Sequence, residues 1–508
     1  MGSPETRRFE AATILLVLLA AVLRLPALAR PLWLDEVHST VSAATPGLAH
    51  MAGRVLASLH PALYFALLKG WTAVFGGSDA AARALTLVLG LLLVAVLVRW
   101  LAPASPVGGL AAGALVAVNP LLVRYGTEVR GYTLLALLLV AAGAAVFRLA
   151  SVPDDARARL AFALALPAAM LTHVVAVLWL PAFLAAGLVA ARPGRRRDVV
   201  LSLAPGLAAS AAVLGALWAV LTTLHVPLHQ RWIPPTTLDL AARCFDSLFG
   251  LFDLVPGIEK GRVPPEIGFV PLLGGALAVV ASRERLALAL LTGASVSWLG
   301  TFAVSLFGTP IVWDRILLPG LPYFLAAVAV AAASVRGRGA RVAAGSACAG
   351  LCLAWALTSL ASAARPVEDY RAAGALVARE FRSGDAVVVF PPYAAKAFAR
   401  YLPTEAAAAA AVPLDGPGGV FLLLRPDLSL AFDHDALSSL LRTLAARFRT
   451  GRITLVAIEP IDARIAPRAK TLRDAAIADA LLAFGPPDVA IQGGLLFHAS
   501  WRARERLR

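Results

Sequence analysis

Asp35 and Glu36 are adjacent carboxylates that follow Trp33-Leu34 and precede His38, just beyond a long apolar run over 11–29. Acids do little to anchor the end of a membrane helix, a task that falls to Arg, Lys, Trp and Tyr. An Asp-Glu pair at that place therefore suits chemistry. One carboxylate can take the proton of a hydroxyl while its neighbour orients a substrate or holds a metal ion. A solvated loop start explains the pair equally well when it is taken alone. In Ser58-Leu59-His60-Pro61-Ala62-Leu63-Tyr64 the proline suits a first helical position. His60 then stands at a helix N-terminus, which favours anions, although an incidental histidine is the plainer reading of that motif by itself. Arg124, Glu128 and Arg130 interrupt two apolar runs between Asn119 and Tyr132. Glu128 and Arg130 would be costly facing lipid, so they are expected to face a cavity. The planar fork of Arg130 matches phosphate oxygens. His173, in an apolar hairpin, is either a satisfied core residue or a ligand-facing one. Arg315, within Thr309-Pro310-Ile311-Val312-Trp313-Asp314-Arg315, opens an apolar run from the side that positive-inside bias disfavours. His225 and His229 are four apart but lack a third ligand, so no metal site is assigned to them.

These residues need a scaffold, and the composition says which. The chain has 508 residues, 59% hydrophobic and 15% charged, with a mean hydropathy of +0.77. Soluble proteins carry closer to a quarter charged residues, and long uncharged runs mean membrane spans. A formal charge of +15 would suit nucleic acid. Much of the arginine, however, sits in short loops between apolar runs (195–197, 283 and 285, 336–341), where topology explains it, so no nucleic-acid partner is expected. Cys348 and Cys352 share a helix face and read as packing; Cys244 completes a set with no disulfide framework. Ala27-Leu28-Ala29 resembles a signal-peptidase site, but Arg24 within the run favours an uncleaved first span.

The apolar runs expected to span are 11–29, 80–101, 107–123, 131–150, 159–173, 174–191, 199–224, 266–282, 285–307, 315–334 and 340–362, about eleven in all. The short run 61–76 mixes Lys69 with Tyr64, Phe65, Trp71 and Phe75 and is expected at the outer surface. With basic loops inside, the segments around Asp35, His60, Arg130, His173 and Arg315, and a long loop over 225–266, all fall on the extracytoplasmic side. Beyond about residue 362 the composition changes. Strands over 386–390, 419–424 and 453–458 alternate with helices over 368–381, 394–401 and 435–448, which predicts a small extracytoplasmic α/β domain. The domain expectation is 1–362 for the membrane part and 363–508 for the tail.

Trp33-Leu34-Asp35-Glu36, His60-Pro61-Ala62-Leu63-Tyr64, Phe75-Gly76 with Arg83, Asn119-Pro120 with Glu128-Val129-Arg130-Gly131-Tyr132, His173, and Arg315-Ile316-Leu317-Leu318-Pro319 form an ordered series. The series resembles the GT-C superfamily of membrane glycosyltransferases, most of all the bacterial branch related to protein O-mannosyltransferases and the aminoarabinose transferase of lipid A. The resemblance implies a polytopic all-α membrane protein that transfers a sugar, with inversion, from a polyprenyl-phosphate donor to the hydroxyl of a lipid, protein or envelope-glycan acceptor. It implies the plasma (inner) membrane as location, an outward-facing site, Asp35 as the base and Glu36 as its positioning neighbour. His60, Glu128, Arg130, His173 and Arg315 would meet the donor phosphate and sugar. No cofactor is implied with certainty, and a divalent cation is left open. The chain departs from its relatives in having His60 where some carry Lys, Ile316 where a Tyr often follows the arginine, and Gly131 where a larger residue is common. The rival reading is a lipid or solute transporter or flippase. It would be expected to show midplane acids and broken helices repeated in two halves, and neither is evident.

Overall fold

A computed structural model describes residues 3–226, 233–250, 264–380, 386–390, 395–402, 419–421, 452–458, 489–493 and 496–502. The chain divides into two compact units, one of Met1–Ala29 with Ser42–Ala364, the other of Arg30–Val41 with Arg365–Arg508.

The first unit is helical, as lipid demands of a chain whose backbone groups must find partners within their own segment. In chain order its helices begin with α1 (Pro4–Arg24) and, beyond α2 (Leu34–Ala44), which starts in the other unit, α3 (Leu48–Leu56) and α4 (Leu63–Phe75). Next come α5 (Asp79–Leu101), α6 (Pro106–Val118), the short α7 (Pro120–Tyr125), α8 (Tyr132–Ser151) and α9 (Ala156–Thr172). They continue with α10 (Trp179–Ala190), α11 (Arg196–Thr223), α12 (Leu238–Phe249), α13 (Phe269–Ser282) and α14 (Arg285–Phe307). The last are α15 (Asp314–Leu317), α16 (Leu321–Ala333) and α17 (Arg338–Ala363). Among the described residues seven helical segments are long and apolar enough to cross a membrane, and four shorter apolar helices accompany them, among them α4. This is a multi-pass membrane protein.

Local chemistry starts these helices. Ser3, Ser78, Ser105 and Asp155 each accept a hydrogen bond from a first-turn N–H, satisfying a donor that the helix itself cannot. Small residues then let the backbones approach, which matters where lipid removes most of the hydrophobic drive between helices. A Cβ at Gly113 would lie 2.2 Å from Val98 of α5, and one at Gly143 would lie 2.1 Å from the Tyr323 hydroxyl of α16. That hydroxyl donates to Leu139 O at 2.6 Å.

One expectation is corrected here. The stretch 225–266 reads as a long loop, but it contains α12, with Ala241, Cys244, Phe245 and Leu248 buried. Its start and stop were legible: Thr237 Oγ1 accepts from Leu240 N at 3.1 Å, and Gly250, at φ 61°, closes the helix in the left-handed conformation that glycine takes without cost. His229, Arg231 and Trp232 lie outside the described residues.

The second unit holds α18 (Tyr370–Glu380) and α19 (Ala395–Ala399) with strands β1 (Ala386–Phe390), β2 (Gly419–Phe421), β3 (Arg452–Ile458), β4 (Val489–Gly493) and β5 (Leu496–Arg502). The sheet order is β2-β1-β3-β5-β4. β1 pairs parallel with both β2 and β3, while β5 runs antiparallel to β3 and β4. Ala-Val-Val-Val-Phe is the near-continuous apolar run expected of a strand flanked on both sides. The first three strands fall where the sequence placed them. The last two alternate less clearly and were not expected, and the helix read over 435–448 lies outside the described residues.

Candidate functional site

Asn119-Pro120 is a helix break. Pro120 has no N–H to continue α6. Asn119 turns out of the helix, accepts from Leu122 N through Oδ1 at 3.1 Å, and donates from Nδ2 to Leu248 O at 3.0 Å. The break frees carbonyls that need partners. Ser359 Oγ takes Val118 O at 2.9 Å. Arg24 Nη1 takes Ala117 O at 2.9 Å and Nη2 takes Leu122 O at 3.2 Å. Arg24 is 1% exposed, so the odd charge in the first apolar run serves as the fastener of a kink 93 residues downstream.

Beyond the break, α7 presents Arg124. Its Nε donates to Glu128 Oε1 at 2.7 Å, with the Arg124 side chain 24% and the Glu128 side chain 1% exposed. Burial alone would push the Arg124 guanidinium down; Glu128, Tyr125 and Asp314 outweigh it and hold the group above its ordinary value. The chain then turns tightly, with Arg130 N donating to Glu128 O at 2.7 Å. Arg130 Nη2 lies 3.3 Å from His60 Nε2. A guanidinium only donates, so His60 accepts through Nε2 and its proton sits on Nδ1.

His60 is placed by Leu59, a non-glycine residue at φ 60°. That left-handed conformation costs about 1 kcal/mol or more and ends α3, after which Pro61 leads into α4. The His60 ring stacks 6.1 Å from Phe65 and stands 6.1 Å from the ring of His173. His173 follows the end of α9 in extended backbone. Its Nδ1 accepts from Val175 N at 3.2 Å, and its ring lies 5.4 Å from that of Tyr132. Arg130 and Arg315 both act electrostatically on it. Gly131 draws these parts together. A Cβ there would meet Thr172 Cγ2 at 3.2 Å and Tyr64 Cβ at 3.3 Å, so the glycine that departs from the family pattern allows α4, the α8 start and the α9 end to approach closely.

Arg315 comes from α15, in irregular backbone after α14. Ser305 Oγ accepts from Ile311 N and Val312 N at 2.7 and 3.0 Å. Asp314, 5% exposed, accepts from Arg315 N at 2.6 Å and from Ser247 Oγ at 2.8 Å. His60, Arg130 and His173 thus assemble in the first unit, and Arg315 joins them through its electrostatic action on His173. Glu128 enters the same neighbourhood, engaged by Arg124.

Asp35 and Glu36 belong to the second unit. They open α2, Asp35 half-buried and Glu36 fully buried. Glu36 Oε2 accepts from Trp33 N at 3.1 Å, half of a capping box. Leu32 N donates to Tyr401 Oη at 2.6 Å and Leu34 N to Glu368 Oε2 at 3.1 Å. The acidic stretch is therefore held on both sides of Trp33 by residues of the C-terminal segment.

Sequence reasoning missed Asp314, Ser247, Glu368 and Tyr401. Arg124 and Glu128 carried a signal, the i,i+4 spacing of an ion pair. Asp314 carried a weaker one, an acid beside Arg315 at membrane depth. Ser247, Glu368 and Tyr401 carried none. Among the described residues no group of three or more His, Cys, Asp or Glu is arranged to hold a metal ion.

By sequence the chain matches no known family and no curated protein. Solved structures share its fold. ArnT from Cupriavidus metallidurans bound to undecaprenyl phosphate aligns with a TM-score of 0.53 at 13% identity, covering 98% of each chain. Archaeal oligosaccharyltransferase AglB from Archaeoglobus fulgidus, in complex with an inhibitory peptide and a dolichol-phosphate, aligns at 0.51 and 12% identity over 94% of this chain and 72% of that one. The chain therefore has the GT-C fold that its motif series implied.

Proposed function

We propose that this protein is a glycosyltransferase that moves a sugar from a polyprenyl phosphate to a hydroxyl acceptor on the extracytoplasmic side of the plasma membrane. The observation that carries the reading is the cluster in which Arg130 meets His60 at 3.3 Å, with His173 6.1 Å from His60. Cationic and imidazole donors gathered at the broken ends of membrane helices suit an anion attached to a lipid. The fold is shared with ArnT bound to undecaprenyl phosphate and AglB in complex with a dolichol-phosphate, which supports a lipid-phosphate donor.

In the proposed reaction the Asp35 carboxylate takes the proton of the acceptor hydroxyl. The acceptor oxygen attacks the anomeric carbon on the face opposite the phosphate. The bond from that carbon to the phosphate oxygen breaks, and the polyprenyl phosphate departs with the electron pair. The configuration inverts. Arg130 and Arg315 hold the developing phosphate charge in a water-poor setting, where fixed charges act most strongly. His60, oriented by Arg130, offers Nδ1–H to the same group, and His173 lines the site. Glu36 orients the acceptor or sugar edge while capping α2, and Glu128 keeps Arg124 and the Arg130 turn in place. The acceptor class is a lipid, a protein or an envelope glycan.

The test is release of free polyprenyl phosphate from a panel of polyprenyl-phosphate sugars by the purified protein in liposomes, with a membrane extract as acceptor source. The Asp35→Asn variant is expected to lose at least about a hundredfold in turnover, the scale of general-base catalysis, while still binding the donor. Equal release by both proteins, or none from any donor with extract present, would leave a protein that binds or moves lipids.

A further inference from the structure

Irregular backbone at membrane depth has to be held by side chains. For the segment that carries Arg315, α14 supplies part of the hold. Ser305 Oγ receives Ile311 N and Val312 N, and Trp298 Nε1 donates to Leu317 O at 2.8 Å. These bonds set the path of the segment and could be made around almost any side chain at position 314.

Asp314 is a different matter. A buried carboxylate is costly unless charges or hydrogen bonds compensate it, and an uncharged residue would close the same turn. Its oxygens are committed in two directions. Oδ1 receives the backbone N–H of Arg315, and Oδ2 receives Ser247 Oγ from α12. Its charge also acts on Arg124 of α7, and both Arg124 and Arg315 act on the intervening Tyr125. One carboxylate therefore serves a neighbourhood that holds two arginines from separate elements, Arg315 buried and Arg124 partly so. The approach to α12 is also tied to α14, where Thr236 Oγ1, just before the α12 cap, donates at 2.8 Å to Ser305 Oγ, the same hydroxyl that receives Ile311 N and Val312 N.

We propose that Asp314, clamped by Ser247 of α12, is a positioning residue that sets Arg315 for the lipid phosphate, and that α12 is the strap that holds it. The proposal rests on the reading of Arg315 as a phosphate-binding residue. Asp314 itself does not touch the phosphate.

The experiment titrates undecaprenyl phosphate onto the full chain in nanodiscs and follows donor KM and kcat in the release assay. Asp314→Asn is expected to weaken phosphate binding about tenfold and Ser247→Ala about threefold, the scale of one hydrogen bond to a charged group acting indirectly. Donor KM should rise more than kcat falls, and Ser247→Thr should restore binding. The discriminating arm is the Arg315→Gln background. There, Asp314→Asn and Ser247→Ala should change affinity less than about twofold, because coupled residues do not add. A merely structural role would lower affinity by the same factor in both backgrounds, and that result overturns the proposal. So does wild-type affinity in Ser247→Ala, the milder variant that keeps the test open if Asp314→Asn does not fold. If Arg315→Gln itself binds as wild type, the phosphate assignment of Arg315 falls and the proposal with it. If the wild type releases polyprenyl phosphate from no donor, the glycosyltransferase reading falls first.

Discussion

Gly131→Ala tests the close approach that assembles the cationic cluster. Gly131 sits at φ −73° and ψ −3°, a conformation open to any residue, so alanine brings no backbone strain. The penalty is purely steric. The new Cβ would stand 3.2 Å from Thr172 Cγ2, 3.3 Å from Tyr64 Cβ and 3.4 Å from Tyr64 Cγ, where carbon atoms settle at about 3.7 Å. Relief needs a shift of roughly 0.4 Å between the start of α8 and the α4 or α9 side. The Arg130–His60 contact starts at 3.3 Å, and the same displacement takes it beyond the reach of a hydrogen bond. Losing a charge-assisted bond of that kind is expected to weaken polyprenyl-phosphate binding about tenfold. Stability should fall by no more than about 2 kcal/mol. Overpacking costs about 1–3 kcal/mol, and the lost freedom of the unfolded chain returns about 0.4–1 kcal/mol. The assay pairs undecaprenyl-phosphate titration in nanodiscs with unfolding in mixed SDS micelles. Gly131→Val should weaken binding further. Wild-type affinity in both variants would refute the idea that this approach sets the Arg130–His60 geometry.

Glu128→Gln keeps the shape of the side chain and removes the counter-charge of Arg124. A fully buried pair broken on one side costs about 3–5 kcal/mol; with Arg124 a quarter exposed and Asp314 still near, about 2 kcal/mol is expected in the same SDS unfolding measurement. Gly126→Ala would place a Cβ 2.6 Å from Arg24 Nε and 2.8 Å from Leu122 O, and the expected loss is about 1–3 kcal/mol. Gly70→Ala, with nothing within 4 Å of its added Cβ, is the matched control and should be neutral or slightly stabilising.

Much of the site was legible residue by residue. Arg130, Glu128 and Arg315 stood out because a charge among apolar runs is expensive and must face something polar. His60 stood out through the proline that follows it, and Asp35 through an acid where anchors are usual. The arrangement around them was not legible. Gly131 appeared in sequence only as a departure from a pattern; its use is the space it leaves for Tyr64 and Thr172. Arg24 appeared only as a reason to doubt a signal peptide; its use is to donate to Ala117 O and Leu122 O on either side of the Asn119-Pro120 break. The stretch 225–266 reads as a long loop in sequence, although the Thr237 cap and the closing Gly250 mark the helix between them.

What the amino-acid sequence determined by itself is the local and the periodic. Apolar runs of membrane length become helices because only a helix pairs every backbone group within one segment. Caps and prolines set where those helices start and break, and the order of the motifs sets which breaks carry charges. Only the tertiary structure decided the long-range pairs: Arg24 with the Asn119-Pro120 break, Ser247 with Asp314, and Tyr401 and Glu368 with the backbone on either side of Trp33. Each of these is a single polar side chain answering a backbone or carboxyl group far away in the chain. Such a contact leaves no periodic trace in sequence, because one hydroxyl or guanidinium satisfies it from any helix that passes close enough.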